Sequence, residues 1–243
     1  MKQLPAVLVL GVTLLLGADT EAGHPFNWGG ELAGNSRYVW RGILLDDRPV
    51  IQPSVWFSAR DFTLSVWSNF ALAHPAGLGL NETDLGLSYS RELAGISFEP
   101  AFQVYLYPNQ PDAPPSGELN LALARPFGPV TVSTGHALDV LRYPGSYFGD
   151  LGLAYERELA PNLVLGLESD LGWASARFNE VNLGVARAAL DFVSGALSLD
   201  WQPAGLFSCR PHVGLSRVLD AGLRQAADVP TPVVFGVAVA KEF

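Results

Sequence analysis

The sequence has little cysteine, little charge and no long apolar run past its start, and each shortage excludes a class of protein. Cys209 is the single cysteine in 243 residues, so the chain can form neither an intramolecular disulfide nor a cysteine-based zinc site. Charged residues make up 16% of the chain, against about 25% in an average soluble domain. Although 49% of the residues are hydrophobic, the sequence past its start contains no apolar run of about 18 residues, so it predicts no transmembrane helix there. A closed β-barrel is the other structure that can span a membrane.

Basic residues are also scarce, and no motif of a catalytic or cofactor site is found. The formal net charge is −9, with 15 Lys and Arg against 24 Asp and Glu, which argues against nucleic-acid binding. No nucleotide-binding, hydrolase or metal-binding motif occurs in a suitable context. The four histidines are scattered along the chain. We therefore expect no cofactor, no metal and no catalytic residues.

The N-terminus has the layout of a secretory signal peptide. Lys2 is followed by the apolar stretch LPAVLVLGVTLLLG and then by ADTEA, and we expect cleavage after Ala22. The alternative is a single N-terminal anchor helix, for which the run is short. The expected organisation is a signal peptide at 1–22 and one β-barrel domain at 23–243.

Period-2 alternation of polarity recurs from about residue 28 to the C-terminus and predicts an all-β chain. In residues 27–41 the even positions are apolar or small, and the odd positions include Glu31, Arg37 and Arg41. A secreted β-sandwich would also alternate. A barrel is favoured because the polar face has almost no lysine and because aromatic residues lie near strand ends, among them Trp28, Tyr38, Trp40, Trp173 and Trp201.

Thirteen segments qualify as strands, whereas bacterial single-chain barrels have an even number. They lie near 28–40, 50–59, 62–70, 82–92, 96–107, 117–125, 129–138, 148–158, 163–173, 180–189, 194–202, 207–218 and 233–243. Joining 180–202 into one bulged strand predicts an antiparallel transmembrane barrel of about twelve strands, with fourteen the alternative. Short turns would face the periplasm and long, Pro- and Gly-rich loops the outside.

Two pairs of similar segments suggest an internal duplication. DLGLSYSRELA starts at Asp84 and DLGLAYERELA at Asp150, while ELNLALAR starts at Glu118 and EVNLGVAR at Glu180. The offsets of the two pairs nearly agree, which predicts a duplicated four-strand unit. Chance similarity between alternating strands is the other interpretation.

The stretch from 35 to 70, NSRYVWRGILLDDRPVIQPSVWFSARDFTLSVWSNF, resembles the opening of the TorF-type porins, also called the Gcw_chp family. The family's motif residues correspond to Ser36, Tyr38, Arg41 and Gly42, to Pro49 and Pro53, and to Val66, Trp67, Ser68 and Asn69. YLYP at 105–108 and the ending VAVAKEF also resemble that family. The sequence departs from the pattern at ILLDD and between 174 and 206. The resemblance implies an outer-membrane barrel with a transport role and names no substrate.

Parity along the strands identifies candidate lumen residues. Nine carboxylates share the polar faces: Glu31, Asp84, Glu99, Glu118, Asp150, Glu156, Glu168, Asp170 and Asp200. The same faces carry Arg37, Arg41 and Arg210. As candidates for a constriction we take Glu31, Arg37, Arg41, Glu99, Glu118, Glu168 and Asp170. The two arginines of the first strand either filter solutes by charge or close the lumen as a salt-bridged plug.

The predicted function is a narrow, cation-preferring porin of the bacterial outer membrane that passes small solutes. The alternatives are a non-conducting structural or surface-interaction barrel and, with less support, an outer-membrane hydrolase built on Ser133, Thr134 and His136. Asp46 and Asp47 could hold a cation weakly in an outer loop. The expected partners are the lipid bilayer and the barrel-assembly machinery, for which Phe243 at the end of the last strand is the predicted signal. The oligomeric state is left open.

A membrane barrel predicts a simple biochemical signature. The protein should be recovered in the outer-membrane fraction, should migrate differently on gels before and after boiling, and should give a β-rich circular dichroism spectrum. Recovery as a soluble periplasmic monomer would contradict the barrel.

Overall fold

A computed structural model describes residues 26–74, 77–203 and 207–243. It also describes the backbone of two short strands, Val7–Val9 and Val12–Leu14, which pair with each other. The rest of the predicted signal peptide, and its cleavage site after Ala22, lie outside the described residues. Cleavage therefore stays a prediction.

Twelve antiparallel strands form one closed barrel, which confirms the predicted fold class. The strands are β1 (Asn27–Asn35), β2 (Val50–Ala59), β3 (Phe62–His74), β4 (Gly77–Tyr89), β5 (Ile96–Leu106), β6 (Ser116–Phe127), β7 (Val130–Asp139), β8 (Tyr147–Ala160), β9 (Leu163–Ala174), β10 (Ala189–Trp201), β11 (Ser208–Val218) and β12 (Val233–Glu242). Each strand pairs with the next, and β12 pairs with β1 from Gly236 with Asn35 to Glu242 with Gly29. The short strand Arg91–Leu93 extends the β4 edge along the start of β5.

The two faces of the wall differ as the alternation predicts. Large apolar side chains cover the outer face, among them Leu32, Phe57, Leu64, Leu87, Leu119, Leu153, Leu167, Leu197, Leu215 and Phe235. Residues one position away point inward and are small or polar, for example Ser65, Gly86 and Ser88. An apolar belt outside a polar interior is the arrangement of a membrane-spanning barrel. Within the described ranges, no helix is long and apolar enough to cross a membrane.

Loop lengths distinguish the two ends of the barrel. Two-residue or similarly short turns join β2 to β3, β6 to β7 and β8 to β9. At the opposite end, the connections that span 36–49, 107–115, 140–146, 175–188 and 219–232 are long. Because long loops of outer-membrane barrels face outside, we call this the outer end.

The first strand is shorter than predicted. β1 ends at Asn35, and the chain then turns into the barrel, where Tyr38–Trp40 pairs with Ile43–Asp46. Tyr38 and Trp40 therefore do not belong to a lipid-facing girdle, and neither Arg37 nor Arg41 lies on a wall strand. The prediction was wrong because a small hairpin alternates with the same period of 2 as a barrel strand.

The predicted strand over 180–202 is also wrong in its first part. Ala176–Leu183 is helix α1, capped by Ser175, whose side chain accepts from the Phe178 amide, and ended by left-handed Gly184. The strand starts at Ala189, and a second short helix, α2, spans Ala221–Ala226. EVNLGVAR therefore starts in α1, whereas ELNLALAR lies in β6, so that pair is no structural repeat. The two DLGL segments do both lie on wall strands, β4 and β8.

Phe243 closes the seam between the last and first strands. Its amide donates to the Trp28 carbonyl at 2.8 Å, the Trp28 amide donates back at 3.3 Å, and the two rings stack with centroids 4.3 Å apart. Both side chains are exposed on the outer wall. The terminal residue therefore joins the strand ends as well as completing the predicted assembly signal.

Deleting Phe243 should reduce insertion into the outer membrane, because the seam loses two backbone hydrogen bonds and an aromatic stack. Heat-modifiable protein in the membrane fraction is the measurement. The matched control is Phe127→Ala, which removes an exposed aromatic ring away from the seam. Wild-type assembly of the truncated chain would contradict this role.

Candidate functional site: the lumen and its plug hairpin

The hairpin of residues 38–46, here called the plug hairpin, places Arg41 and Gly42 at its tip inside the barrel. Both tip residues have positive φ, 48° and 77°, as a tight two-residue hairpin turn of type I′ requires. A Cβ at Gly42 would overlap the Phe192 ring. Position 42 therefore needs glycine for its backbone conformation and for its close approach to the wall.

Arg41 forms a buried ion pair with the wall. Its two terminal nitrogens donate to both Glu118 oxygens at 2.8 and 2.6 Å, and Tyr105 donates to the same carboxylate at 2.7 Å. Arg41 is 2% exposed and Glu118 is 5% exposed. Burial alone would lower the pKa of Arg41, but the Glu118 carboxylate outweighs burial, the pKa rises, and the guanidinium stays charged.

Aromatic rings surround this ion pair. The guanidinium carbon lies 4.4 Å from the ring centroid of Trp40, 4.8 Å from that of Phe148 and 5.7 Å from that of Phe178 on α1. Phe148 also stacks on Phe192, and these rings form a buried apolar cluster with the neighbouring alanines. The plug hairpin and α1 thus occupy much of the outer part of the lumen, with contacts to β3, β4, β6, β8 and β10.

The other arginines and carboxylates of the prediction are spread along the lumen. Alternation in the observed strands turns all nine predicted carboxylates inward. Asp84 accepts from Gln103 at 3.0 Å, Asp170 accepts from Ser194 at 2.9 Å, and Arg210 donates to Asp200 at 3.2 Å. Arg37 lies instead in the bend after β1, partly buried. Glu31, Glu99 and Glu168 lie on the wall strands β1, β5 and β9, and Glu99 lines the same cavity as Arg41.

Sequence reasoning missed further inward carboxylates, among them Glu82 and Asp139. Glu82 lies on the same face of β4 as Asp84 and is hydrogen-bonded to the Tyr38 hydroxyl of the plug hairpin. Asp139 ends β7, where it accepts from the Ser116 hydroxyl and from the amides of the following loop. Glu82 lies within the predicted strand over 82–92 and has the same parity as Asp84, so the parity argument could have included it.

A ladder of amide side chains crosses the inner wall and was not predicted. Asn35 donates to Gln52 at 2.7 Å, Gln52 donates to Asn69 at 2.8 Å, and Asn69 donates to Asn81 at 2.7 Å. His212 extends the ladder, with its Nε2 2.9 Å from the Asn35 oxygen. Asn69 is fully buried. The ladder satisfies polar groups that have left bulk water, which rigidifies this side of the lumen.

Beneath the plug hairpin lies a cavity with about 780 Å³ of empty space, counting the part that is open to solvent. Its lining combines small residues with a few polar groups, including Ser65, Ser88, Glu99, Asn120 and Asp150. Such a mixture provides room for water or a small polar solute rather than a packed core.

The hydrolase site that the sequence suggested at Ser133, Thr134 and His136 is not assembled in the structure. By strand parity Ser133 points inward, whereas Thr134 and His136 point outward. Thr134 Oγ1 lies 3.4 Å from His136 Nε2 but donates its hydroxyl proton to the Asp150 carbonyl at 2.8 Å, and His136 Nδ1 lies 2.8 Å from the Tyr147 hydroxyl. This arrangement offers no activated nucleophile, which would need its hydroxyl directed at the base.

The described residues also form no group of cation ligands, at the Asp46–Asp47 pair or at another place. Asp46 is buried and accepts from the Arg48 amide and guanidinium, so the Asp46–Asp47 pair is not an open cation site. Across the described part of the chain, no three His, Cys, Asp or Glu side chains are grouped to hold a metal ion.

Comparisons with known proteins support the fold through structure and not through sequence. No protein-family model matches the chain, and no curated protein matches it in sequence. The KdgM porin is similar at a TM-score of 0.56 and 12% identity, covering 88% of this chain and 99% of its own. The NanC porin is similar at 0.57 and 9%, covering 87% and 98%. The fold is that of outer-membrane porins.

An outer-membrane channel of Pseudomonas putida F1 also matches, at a TM-score of 0.52 and 11% identity, covering 93% of this chain and 98% of its own. Similarity spans nearly the whole barrel in each case. At these low sequence identities the similarity shows the fold alone. It does not extend to the side chains inside the lumen.

Replacing Arg41 with methionine should lower the free energy of unfolding by about 3–5 kcal/mol, because Glu118 stays buried without its partner. The double variant R41M/E118L should lose less, since no buried charge remains. Denaturant titration of the refolded barrel, followed by tryptophan fluorescence, measures both.

Arg48→Met is the control for this comparison. Arg48 lies in the same loop and its pair with Asp46 is partly exposed, so the loss should be much smaller than that at Arg41. Equal losses at both arginines would contradict a special role for the Arg41 pair.

Proposed function

We propose that the protein is a narrow outer-membrane channel for the passive passage of small solutes, with a preference for cations. The observation that carries this proposal is the inner wall, which leaves a polar cavity and faces it with carboxylates. A barrel of eight strands is filled by its side chains and one of sixteen holds an open channel. Twelve strands with many inward Gly, Ala and Ser residues support a narrow passage between these cases.

The charge of the lumen supports the cation preference. The nine inward carboxylates predicted from the sequence outnumber the two arginines with which they form ion pairs, Arg41 with Glu118 and Arg210 with Asp200. Negative groups in a confined space with low-dielectric walls attract cations and repel anions. Glu82 adds a further carboxylate to the lumen.

The plug hairpin supports the narrowness. It occupies the outer part of the lumen and is fixed by the Arg41 ion pair, so solutes would pass beside it. Hydrated ions and small organic molecules fit such a passage better than polymers do.

The acidic lumen also separates this chain from one of its structural neighbours. A KdgM porin has been solved in complex with oligogalacturonate, which is a polyanion. A wall on which carboxylates outnumber arginines would repel such a ligand. We therefore propose no acidic sugar as the solute of this channel.

A non-conducting structural or surface-interaction barrel is the second candidate. The buried Arg41–Glu118 pair and the aromatic cluster favour it, because together they resist displacement of the plug hairpin. Planar-bilayer recording separates the two, since only the first gives single-channel currents.

We further propose that the chain belongs with the TorF-type porins. In support, the motif residues gather around the plug hairpin: Ser36 bonds to the β12 backbone, Tyr38 to Glu82, Arg41 to Glu118, and Gly42 lies against Phe192. A crystal structure of a family member should show its Arg-Gly pair at the tip of a hairpin folded into the barrel. An Arg-Gly pair on an external loop would contradict this.

Any conductance should be cation-selective at low salt and less so at high salt, because the Debye length falls from about 10 Å at 0.1 M to about 3 Å at 1 M. Reversal potentials in planar bilayers measure this. Neutralising Glu99 or Glu168 to glutamine should reduce the preference. Asp61→Asn, in the exposed turn between β2 and β3, is the control. Anion selectivity at low salt would contradict the proposal, and a complete lack of current would favour the structural barrel.

A further inference from the structure

The cavity beneath the plug hairpin contains polar groups whose hydrogen-bonding capacity is not used. Glu99 is 8% exposed; Ser88 bonds to its carboxylate, but Oε2 has no hydrogen-bond partner among the described residues. The Asn120 amide nitrogen, which also lines the cavity, is likewise without a partner there. Buried polar atoms normally have partners, so an unused acceptor and an unused donor in one cavity indicate a place for a polar ligand or ordered water.

Strand register shows how these groups are arranged. Glu99 pairs with Ala122, Ala122 with Gly135, and Gly135 with Asp150, so the two acidic residues lie on one row of the inner wall. The intervening residues have small or no side chains. Three strand spacings separate Glu99 from Asp150, roughly 14 Å along the wall. The Asp150 carboxylate leans over Gly135, where a Cβ would overlap it, and this narrows the gap further.

The next row toward the outer end closes the site from above. Asn120 pairs with Ala101 on one side and with Ala137 on the other, and Ala137 pairs with Phe148. Phe148 lies under Arg41, whose charge is matched by Glu118 at 2.6 Å. Arg41 also lines the cavity, but Glu118 matches its charge, so the carboxylates of Glu99 and Asp150 determine the sign of the charge around the gap.

We infer that this cavity is a binding site for a small protonated amine that also carries hydroxyl groups, the chemistry of an amino sugar. The ammonium group donates to Glu99 and is attracted by Asp150, which gives charge-assisted hydrogen bonds in a confined space. A ligand hydroxyl accepts from the Asn120 amide. The floor of Ala122 and Gly135 leaves room for one small ring. This inference rests on the proposed channel function, because the solute must enter the lumen.

Protonated glucosamine is the probe, and glucose and N-acetylglucosamine are neutral controls of similar shape. Glucosamine should block the potassium current in a saturable manner in planar bilayers, whereas the neutral sugars should not. Glu99→Gln should raise the half-blocking concentration roughly tenfold, the loss expected for one charge-assisted hydrogen bond. Glu156→Gln removes an inward carboxylate that does not line this cavity and should leave that concentration little changed, relative to its own unblocked current.

The outcomes separate the site from the channel. Current without block by glucosamine, or equal shifts in E99Q and E156Q, overturns the binding site and leaves the channel standing. If no current is seen, the channel proposal fails, and calorimetric titration of glucosamine into the folded barrel in detergent decides the site. Binding that E99Q weakens and E156Q does not supports the site, and no binding overturns it. Heat-modifiability of each variant establishes that it has folded.

Discussion

In lipid, a backbone N–H or C=O group that lacks a partner costs several kcal/mol, and the rest of this structure depends on that constraint. The twelve strands satisfy this constraint because each pairs with its neighbour and the last pairs with the first. Closure leaves no free edge in the wall. It also separates an outer surface, which must be apolar, from an inner one, which need not be. Every feature of the lumen follows from that separation.

Closure makes long-range pairs possible inside the tube. Arg41 and Glu118 are 77 positions apart, yet they form a bidentate pair because the 36–49 connection folds inward against β6. Such a buried pair adds specificity more than net stability, since removing two charges from water offsets most of their attraction. It selects one position for the plug hairpin among the many that an apolar contact alone would allow. The aromatic rings around Arg41 then complete the packing.

The interior is unlike that of a soluble domain. Its apolar cluster is confined to the outer end, while small side chains and carboxylates line the wall below. An amide ladder and hydroxyl-to-carboxylate bonds satisfy part of this polar surface, and the cavity beside Glu99 and Asn120 retains unused donors and acceptors. What results is a wall rich in carboxylates, with a recessed pocket beside Glu99 and Asn120.

The sequence alone predicted the barrel, with about twelve strands and fourteen left open, and assigned the acidic residues to the inward faces, because alternation with period 2 assigns each side chain to a face without knowledge of contacts. Only the tertiary structure decided that residues 38–46 leave the wall, that 176–183 is a helix, and that Arg41 meets Glu118. Alternation is the same in a wall strand and in a hairpin folded inside it, so local pattern cannot distinguish them. Their positions are set by packing against strands far away in the chain, which only the closed barrel brings together.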